Sequence, residues 1–298
     1  MKKMNIKTLA VLALIFAGIA FYGCEETTTE ELNSTSGKLK ILLTDAPFPA
    51  DMVEEANVVI NKIDIRKMNH EDDGYPFITL KEEEMSFNLL ELTNGVTAEL
   101  VDIELDPAEY DLVRLYVSEA SILLKDGTEH DLFVPSGAQT GIKIFIDPAV
   151  EVAGGLTTEL ILDFNISKSF IVQGNPNSPA GIKGFIFKPV IKATNKATSG
   201  RLEGFVTDTS DVVLEEAEVN VLAADTVYTS SFTDEFGAYT VIGIDAGTYN
   251  VAFAKEGYVS DTIKDVEIIE GNTTNLNAQL TPVEEEEEEE SEGGEGDA

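Results

Sequence analysis

The chain has 298 residues, with 55 Asp+Glu against 20 Lys+Arg, for a formal net charge of −35. An acidic chain with no basic stripe gains nothing from phosphate backbones, so sequence-general nucleic-acid binding is excluded. Its single Cys excludes an internal disulfide framework and a cysteine-rich metal site, while 43% hydrophobic residues are too many for a disordered acidic polymer.

Lys2, Lys3 and Lys7 precede an apolar run from Leu9 to Tyr22 that stops at Gly23-Cys24. The run is shorter than the ~20 residues a bilayer crossing needs and is followed at once by Glu25 and Glu26, so it reads as a cleaved signal peptide, residues 1–23. With the only Cys at the cleavage point behind a small residue, the segment resembles a bacterial lipoprotein signal, with Phe21 where such signals usually carry Leu. The resemblance implies that Cys24 is lipidated. Each buried CH₂ adds ~0.8 kcal/mol, so two or three acyl chains would hold the mature protein on a membrane. The following CEETTTEE resembles the export signal of Bacteroidota surface lipoproteins, which implies an outer-membrane protein facing the cell exterior. Residues 24–36 have no apolar periodicity and read as a lipidated acidic stalk.

From residue 37 to 194 hydrophobic residues recur at period two, which predicts strands punctuated by Pro and Gly. Leu39–Leu43, Val58–Ile65, Val113–Val117, Ser121–Leu124 and His130–Val134 fit this reading, as do Ile142–Ile146, Glu159–Phe164 and Gly184–Ala193. Lys125-Asp126-Gly127-Thr128 is a hairpin signal. Short turns are expected at Asp51–Glu55 and Ile166–Phe170. In Asn69-His70-Glu71-Asp72-Asp73-Gly74, the oxygen ligands Asn69, Glu71 and Asp73 imitate the front of a calcium loop. The twelfth position is Leu80, where a bidentate Glu is required, so weak Ca²⁺ binding is the most this loop offers, and no other cofactor is implied.

The loop Val134–Gly141 is the most suggestive polar stretch. Ser136, Gln139 and Thr140 supply donors and acceptors for a hydroxyl-rich or anionic ligand, and its glycines leave backbone amides accessible. The alternative is a structural turn leading into the next strand. A hydrolytic triad from Ser136, His130 and Asp131 is disfavoured, because the loop lacks a nucleophile elbow and adjacent strand residues point to opposite faces.

Residues 195–200 turn small and polar and read as a linker. Residues 201–282 give seven short strands: Leu202–Val206, Ala217–Val221, Val227–Phe232, Ala238–Val241, Thr248–Phe253, Asp261–Ile263 and Thr274–Leu280. One pattern recurs in both halves: Ile103 to Tyr110 and Ile242 to Tyr249 share Ile-x-(Leu/Ile)-Asp-x-x-x-Tyr, a hint of a common corner. Residues 283–298 carry ten acids, seven of them in the run Glu284–Glu290, and read as a disordered acidic tail. The fold class expected is therefore all-β, two antiparallel Greek-key β-sandwiches in tandem.

GRLEGFVTD at Gly200–Asp208, TDEFGAYTV at Thr233–Val241 and DAGTYNVAFAKEGY at Asp245–Tyr258 resemble the carboxypeptidase regulatory-like domains of the prealbumin-like, carbohydrate-binding-like group. That resemblance implies structural turns at Gly237 and Gly247, core-covering Tyr239 and Tyr249, and no catalytic residue. LLTDAPFP at Leu42–Pro49, the run Leu115–Ile144, LILDFNISKSF at Leu160–Phe170 and FKPVI at Phe187–Ile191 resemble domain-of-unknown-function family 4382. This implies a secreted β domain with no known site. The function expected is a non-catalytic envelope lipoprotein that binds a ligand, with polysaccharide favoured. A protein-binding adhesin or structural spacer, partnered by an envelope protein, is the alternative, and a glycan-active enzyme a more distant one. The absence of Trp weighs against a sugar platform, which Tyr and Phe would then have to supply.

Overall fold

The computed structural model describes residues 36–46, 52–68, 77–134, 137–174 and 181–283. The expected signal peptide, Cys24, most of the expected stalk and the acidic run lie outside them.

The first sandwich is built from β1 (Gly37–Ala46), β2 (Val53–Lys67), β3 (Phe77–Lys81), β4 (Met85–Asn88), β5 (Ala98–Leu105) and β6 (Ala108–Leu124), followed by β7 (Glu129–Asp131), β8 (Ile142–Val152), β9 (Thr157–Asn165), β10 (Phe170–Gly174), β11 (Ile182–Phe187) and β12 (Ile191–Asn195). One sheet runs β12-β9-β1-β5, and the other β3-β2-β6-β7, with β4 also on β2 and β8 also on β6. Strands β10 and β11 form a separate hairpin. Two helical turns, α1 (Gly137–Thr140) and α2 (Ile166–Ser169), interrupt the strands.

The alternation that predicted these strands is what packs them. Val113, Leu115 and Val117 of β6 are fully buried, and so are Leu39, Ile41 and Leu43 of β1 and Leu160 and Leu162 of β9. In β2 the buried set changes parity from Val58 and Ile60 to Ile63 and Ile65, and register shifts on either side of Ile60 explain the change. An extra residue at a bulge swaps which face the next side chain meets. Phe164, Phe170 and Phe187 close one end of the core, with Phe170 and Phe187 centroids 5.0 Å apart and Phe164 and Phe187 6.1 Å apart.

The second sandwich contains β13 (Ser199–Asp208), β14 (Glu218–Ala223), β15 (Thr226–Phe232), β16 (Ala238–Asp245) and β17 (Gly247–Ala254), then β18 (Tyr258–Val259), β19 (Asp261–Ile268), β20 (Thr273–Asn275) and β21 (Ala278–Pro282). Its sheets run β16-β13-β21-β18, with β20 also on β13, and β15-β14-β17-β19. Leu202, Val219, Val251, Phe253 and Leu280 form a core separate from the first.

Antiparallel pairing dominates both sandwiches, but β1 runs parallel to β9 from Lys38↔Thr157 to Ala46↔Asn165, and β13 runs parallel to both β20 and β21. Four local expectations are corrected. The turn expected at Asp51–Glu55 is already β2 from Val53 onward. The single strand expected over Gly184–Ala193 is two, β11 and β12, separated around Pro189, which has no N–H for a ladder. The loop before Gly141 contains the helical turn α1. Gly237 has the expected left-handed φ of 71°, and a Cβ there would stand 2.8 Å from the Val206 carbonyl oxygen, whereas Gly247 has no positive φ.

The recurring pattern is a recurring structure. The Tyr110 hydroxyl donates to the Asp106 carbonyl at 2.9 Å, and the Tyr249 hydroxyl donates to the Asp245 carbonyl at 2.9 Å. Each Tyr is buried and spans the four residues that turn one strand into the next, a tyrosine corner. Removing one hydroxyl leaves a carbonyl without its partner. Tyr110→Phe and Tyr249→Phe should therefore each lower the stability of their own sandwich by about 1–2 kcal/mol, read as a shift in denaturant midpoint.

Burial foremost, and then the charge of Asp106 or Asp245, raises the pKa of Tyr110 and Tyr249 above that of an ordinary tyrosine. Burial alone does the same to Tyr239, whose hydroxyl donates to the Leu276 carbonyl at 2.6 Å. Unfolded tyrosines ionise near pH ~10, so the stabilisation is whole below that value and is lost as pH rises above it. Denaturant midpoints measured across this range should fall in step with late tyrosinate absorbance.

The two sandwiches meet through a short set of polar contacts. Asn94, in a turn with φ of 56°, accepts at Oδ1 from the Thr240 backbone N–H. Lys192 pairs with Asp245 at 2.9 Å and lies 3.9 Å from the Tyr228 ring centroid, while Tyr228 donates to the same Asp245 carboxylate at 2.6 Å. A cleft of about 280 Å³ opens beside this junction, lined by Leu42, Ile161, Lys196, Arg201, Ile242 and Asn272 among others.

Candidate functional site

The outward face of the β3-β2-β6-β8 sheet is the candidate site. Strand β6 forms its spine: because Val113, Leu115 and Val117 are buried, pleating sends Arg114 and Tyr116 outward. Antiparallel registers set Thr79, Asp64, Arg114 and Lys143 in one row across four strands, with Lys62 opposite Tyr116 in the next.

Asp64 sits at the centre of this face and is 4% exposed. A carboxylate so far from water needs donors, and it has three: the Thr79 hydroxyl at 2.8 Å, the Tyr116 hydroxyl at 2.9 Å and the Lys62 ammonium at 3.2 Å. Lys62 also lies 5.1 Å from the Tyr116 ring centroid. Beside it, Arg66 grips Asp111 in a two-pronged pair, with both N–H···O distances 2.8 Å. These hydrogen bonds to Asp111 raise the Arg66 pKa.

Arg114 is treated differently. Its guanidinium carbon lies over Phe77, 3.6 Å from the ring centroid, and its buried Nε has no hydrogen-bond partner. None of the ion pairs among the described residues involves Arg114 or Lys143, which stands opposite it on β8. Phe145, two residues along β8, is 65% exposed.

The end of the predicted loop, at Gly141, packs on this face. A Cβ on Gly141, the residue that follows α1, would lie 3.2 Å from the Arg114 Cβ and 3.3 Å from the Tyr116 ring, so the chain leaving α1 rests on these two side chains. Gln139 and Thr140, the last two residues of α1, are exposed next to them. Ser136 lies outside the described residues, and so do Asn69, Glu71 and Asp73 of the calcium-like loop. Among the described residues no cluster of three or more His, Cys, Asp or Glu is placed to hold a metal ion. His130 is half-buried on β7, its ring edge-on to Phe185 with centroids 5.3 Å apart, a packing contact. Further along β6 a shallow groove of about 370 Å³ is lined by Asn57, Ser118, Glu119, Ser121, Glu129 and Asp131 among others.

Sequence reasoning had singled out Gln139 and Thr140 but not Arg114, Tyr116, Asp64 or Lys143. Strand parity alone marks Arg114 and Tyr116 as outward-facing. Their grouping with Asp64 and Lys143 depends on cross-strand registers that span up to fifty residues of sequence.

Two family models match the chain. Residues 36–189 match the Domain of unknown function (DUF4382), and residues 201–281 match the Carboxypeptidase regulatory-like domain. No curated protein matches. Among solved structures, the chain is similar to one from the type II cohesin-X-dockerin complex of Acetivibrio cellulolyticus, at 18% identity and a TM-score of 0.24, over 28% of this chain and 58% of that one. It thus spans little more than half of that relative. It is also similar to the shaft pilin SpaA of Lactobacillus rhamnosus GG, at 11% identity and a TM-score of 0.26, over 84% of this chain and 99% of that one. The TIE protein of Bacillus anthracis gives 12% identity and a TM-score of 0.25, over 95% of this chain and 46% of that one. TM-scores this low establish no common fold. The model for residues 36–189 spans just over half of the chain, and the chain belongs to the DUF4382 family, with a carboxypeptidase regulatory-like domain following it.

Proposed function

We propose that this protein is a non-catalytic lipoprotein of the bacterial outer membrane, anchored through Cys24 and facing the cell exterior. In this reading the outer face of its first sandwich binds polysaccharide. The observation that supports the reading is the packing of Gly141, which follows exposed Gln139 and Thr140 in sequence, against Arg114 and Tyr116 on a sheet that also exposes Phe145. Hydrogen-bonding side chains next to aromatic faces on a rigid sheet suit a sugar, whose hydroxyls need partners and whose C–H faces need an apolar surface. The second sandwich acts as a spacer, held to the first by Asn94 and by the Lys192–Asp245–Tyr228 group.

Replacing Gln139 and Thr140 together by Ala should reduce polysaccharide capture about tenfold or more. Unaltered capture would remove this face from the reading and favour the adhesin or spacer alternative. The anchor is tested by metabolic labelling with a clickable fatty acid, which should mark the wild type and not Cys24→Ala; label persisting in the variant would sink the lipid attachment.

A further inference from the structure

We infer that the polysaccharide received on this face is a carboxylated one, with the Arg114 guanidinium and the Lys143 ammonium taking a uronate carboxylate. The inference rests on the carbohydrate reading above and narrows it.

The chain carries 55 acidic residues against 20 basic ones, so carboxylates are in excess almost everywhere on its surface. Yet Arg114 and Lys143 stand opposite each other on neighbouring strands, and the ion pairs among the described residues leave both out. Like charges directly opposite in an antiparallel pair repel, and a nearby acid would relieve them. Two acids of this face, Asp64 and Asp111, are already committed. Asp64 is saturated by Thr79, Tyr116 and Lys62, and Asp111 is gripped by Arg66 at both oxygens. Among the described residues the sheet thus leaves this pair of cations without an acidic partner.

Arg114 is also pre-organised. Phe77 holds its guanidinium carbon 3.6 Å from the ring centroid, which restrains a planar group whose fork of N–H donors matches the two oxygens of a carboxylate. Lys143 adds a point charge beside it, exposed Phe145 offers an apolar face to a sugar ring, and Gln139 and Thr140 offer partners to its hydroxyls. The net charge of −35 does not forbid an anionic ligand, because at physiological salt the Debye length is ~8 Å and the site responds to its own neighbours.

The test uses the mature lipidated chain in detergent, with polygalacturonate and alginate as probes and the methyl ester of each as an uncharged control. Both acidic polymers should be retained at least about tenfold more strongly than their esters. Arg114→Gln should remove most of that preference and Lys143→Glu should abolish it. Arg114→Lys, which keeps the charge without the fork, should fall between. Because Lys143 is exposed, its variant keeps the test valid should Arg114→Gln prove poorly folded. Equal retention of acids and esters, or an acid preference unchanged in Lys143→Glu, would overturn the inference and leave the carbohydrate reading standing. Retention of none of the four polymers would overturn both.

Discussion

Alanine at Gly204 is expected to destabilise the second sandwich strongly while leaving the first unaffected. A Cβ on Gly204 would lie 1.8 Å from the carbonyl oxygen of Leu276 and 2.6 Å from its carbonyl carbon. Both are backbone atoms, so no side chain can swing aside. Here the chain crosses over β13 as it passes from β20 to β21. The Leu276 N–H donates to the Glu203 carbonyl at 2.9 Å, and the Asn277 side chain accepts from the Phe205 N–H at 3.0 Å. Relieving the clash means lifting that crossing and losing both hydrogen bonds together with the Tyr239–Leu276 bond. Overpacking usually costs 1–3 kcal/mol, and a fixed backbone clash belongs at or beyond the upper end, so a loss of about 3 kcal/mol or more is expected. Hydrogen exchange resolved by peptide should show residues 201–281 losing protection while β1, β6 and β9 keep theirs.

Phe164→Ala should be the counterpart in the first sandwich, with a loss of about 3–5 kcal/mol. Phe164 is fully buried on β9, and its ring contacts Phe187 at 6.1 Å and Phe170 at 6.4 Å between centroids. The last two belong to the separate β10–β11 hairpin, so the deletion removes the surface on which that hairpin packs. Collapse around the void is hindered because β9 is pinned between β1 and β12. The β10–β11 amides should therefore exchange first. A loss under about 1 kcal/mol would show that the three rings do not act as one cluster.

Much of this architecture is legible as sequence because burial follows pleating. Val113-Arg114-Leu115-Tyr116-Val117 states its own parity, and Lys125-Asp126-Gly127-Thr128 states its own turn, with Gly127 at a φ of 83°. The eight-residue repeat ending in Tyr110 and Tyr249 also carries its structure in its chemistry, since an Asp carbonyl four residues before a buried Tyr receives that hydroxyl in both sandwiches. What alternation does not contain is partnership. Lys38 and Thr157 are paired in a parallel ladder across more than a hundred residues, and nothing in either strand announces the other. The same is true of the candidate site. A run of polar residues marked Gln139 and Thr140, but Arg114 gains significance only when β8 sets Lys143 opposite it and β2 and β3 occupy Asp64 and supply Phe77.

The charge distribution takes on a new meaning in this light. Residues 1–23 hold three Lys and no acid, so cleavage would leave a mature chain with 17 basic residues against 55 acids, a net charge of −38. Such a body would be repelled by anionic envelope surfaces, so under the proposed anchoring a lipid at Cys24 would supply its membrane affinity. Against that background, two cations on one face with no acidic partner among the described residues are a local departure from the pattern.

A glycan array probed with the mature chain tests the central claim most directly. The account predicts retention on polysaccharide that is lost when Gln139 and Thr140 are replaced by Ala. Silence across every polysaccharide, with binding kept to whole cells or to an envelope protein, would contradict it.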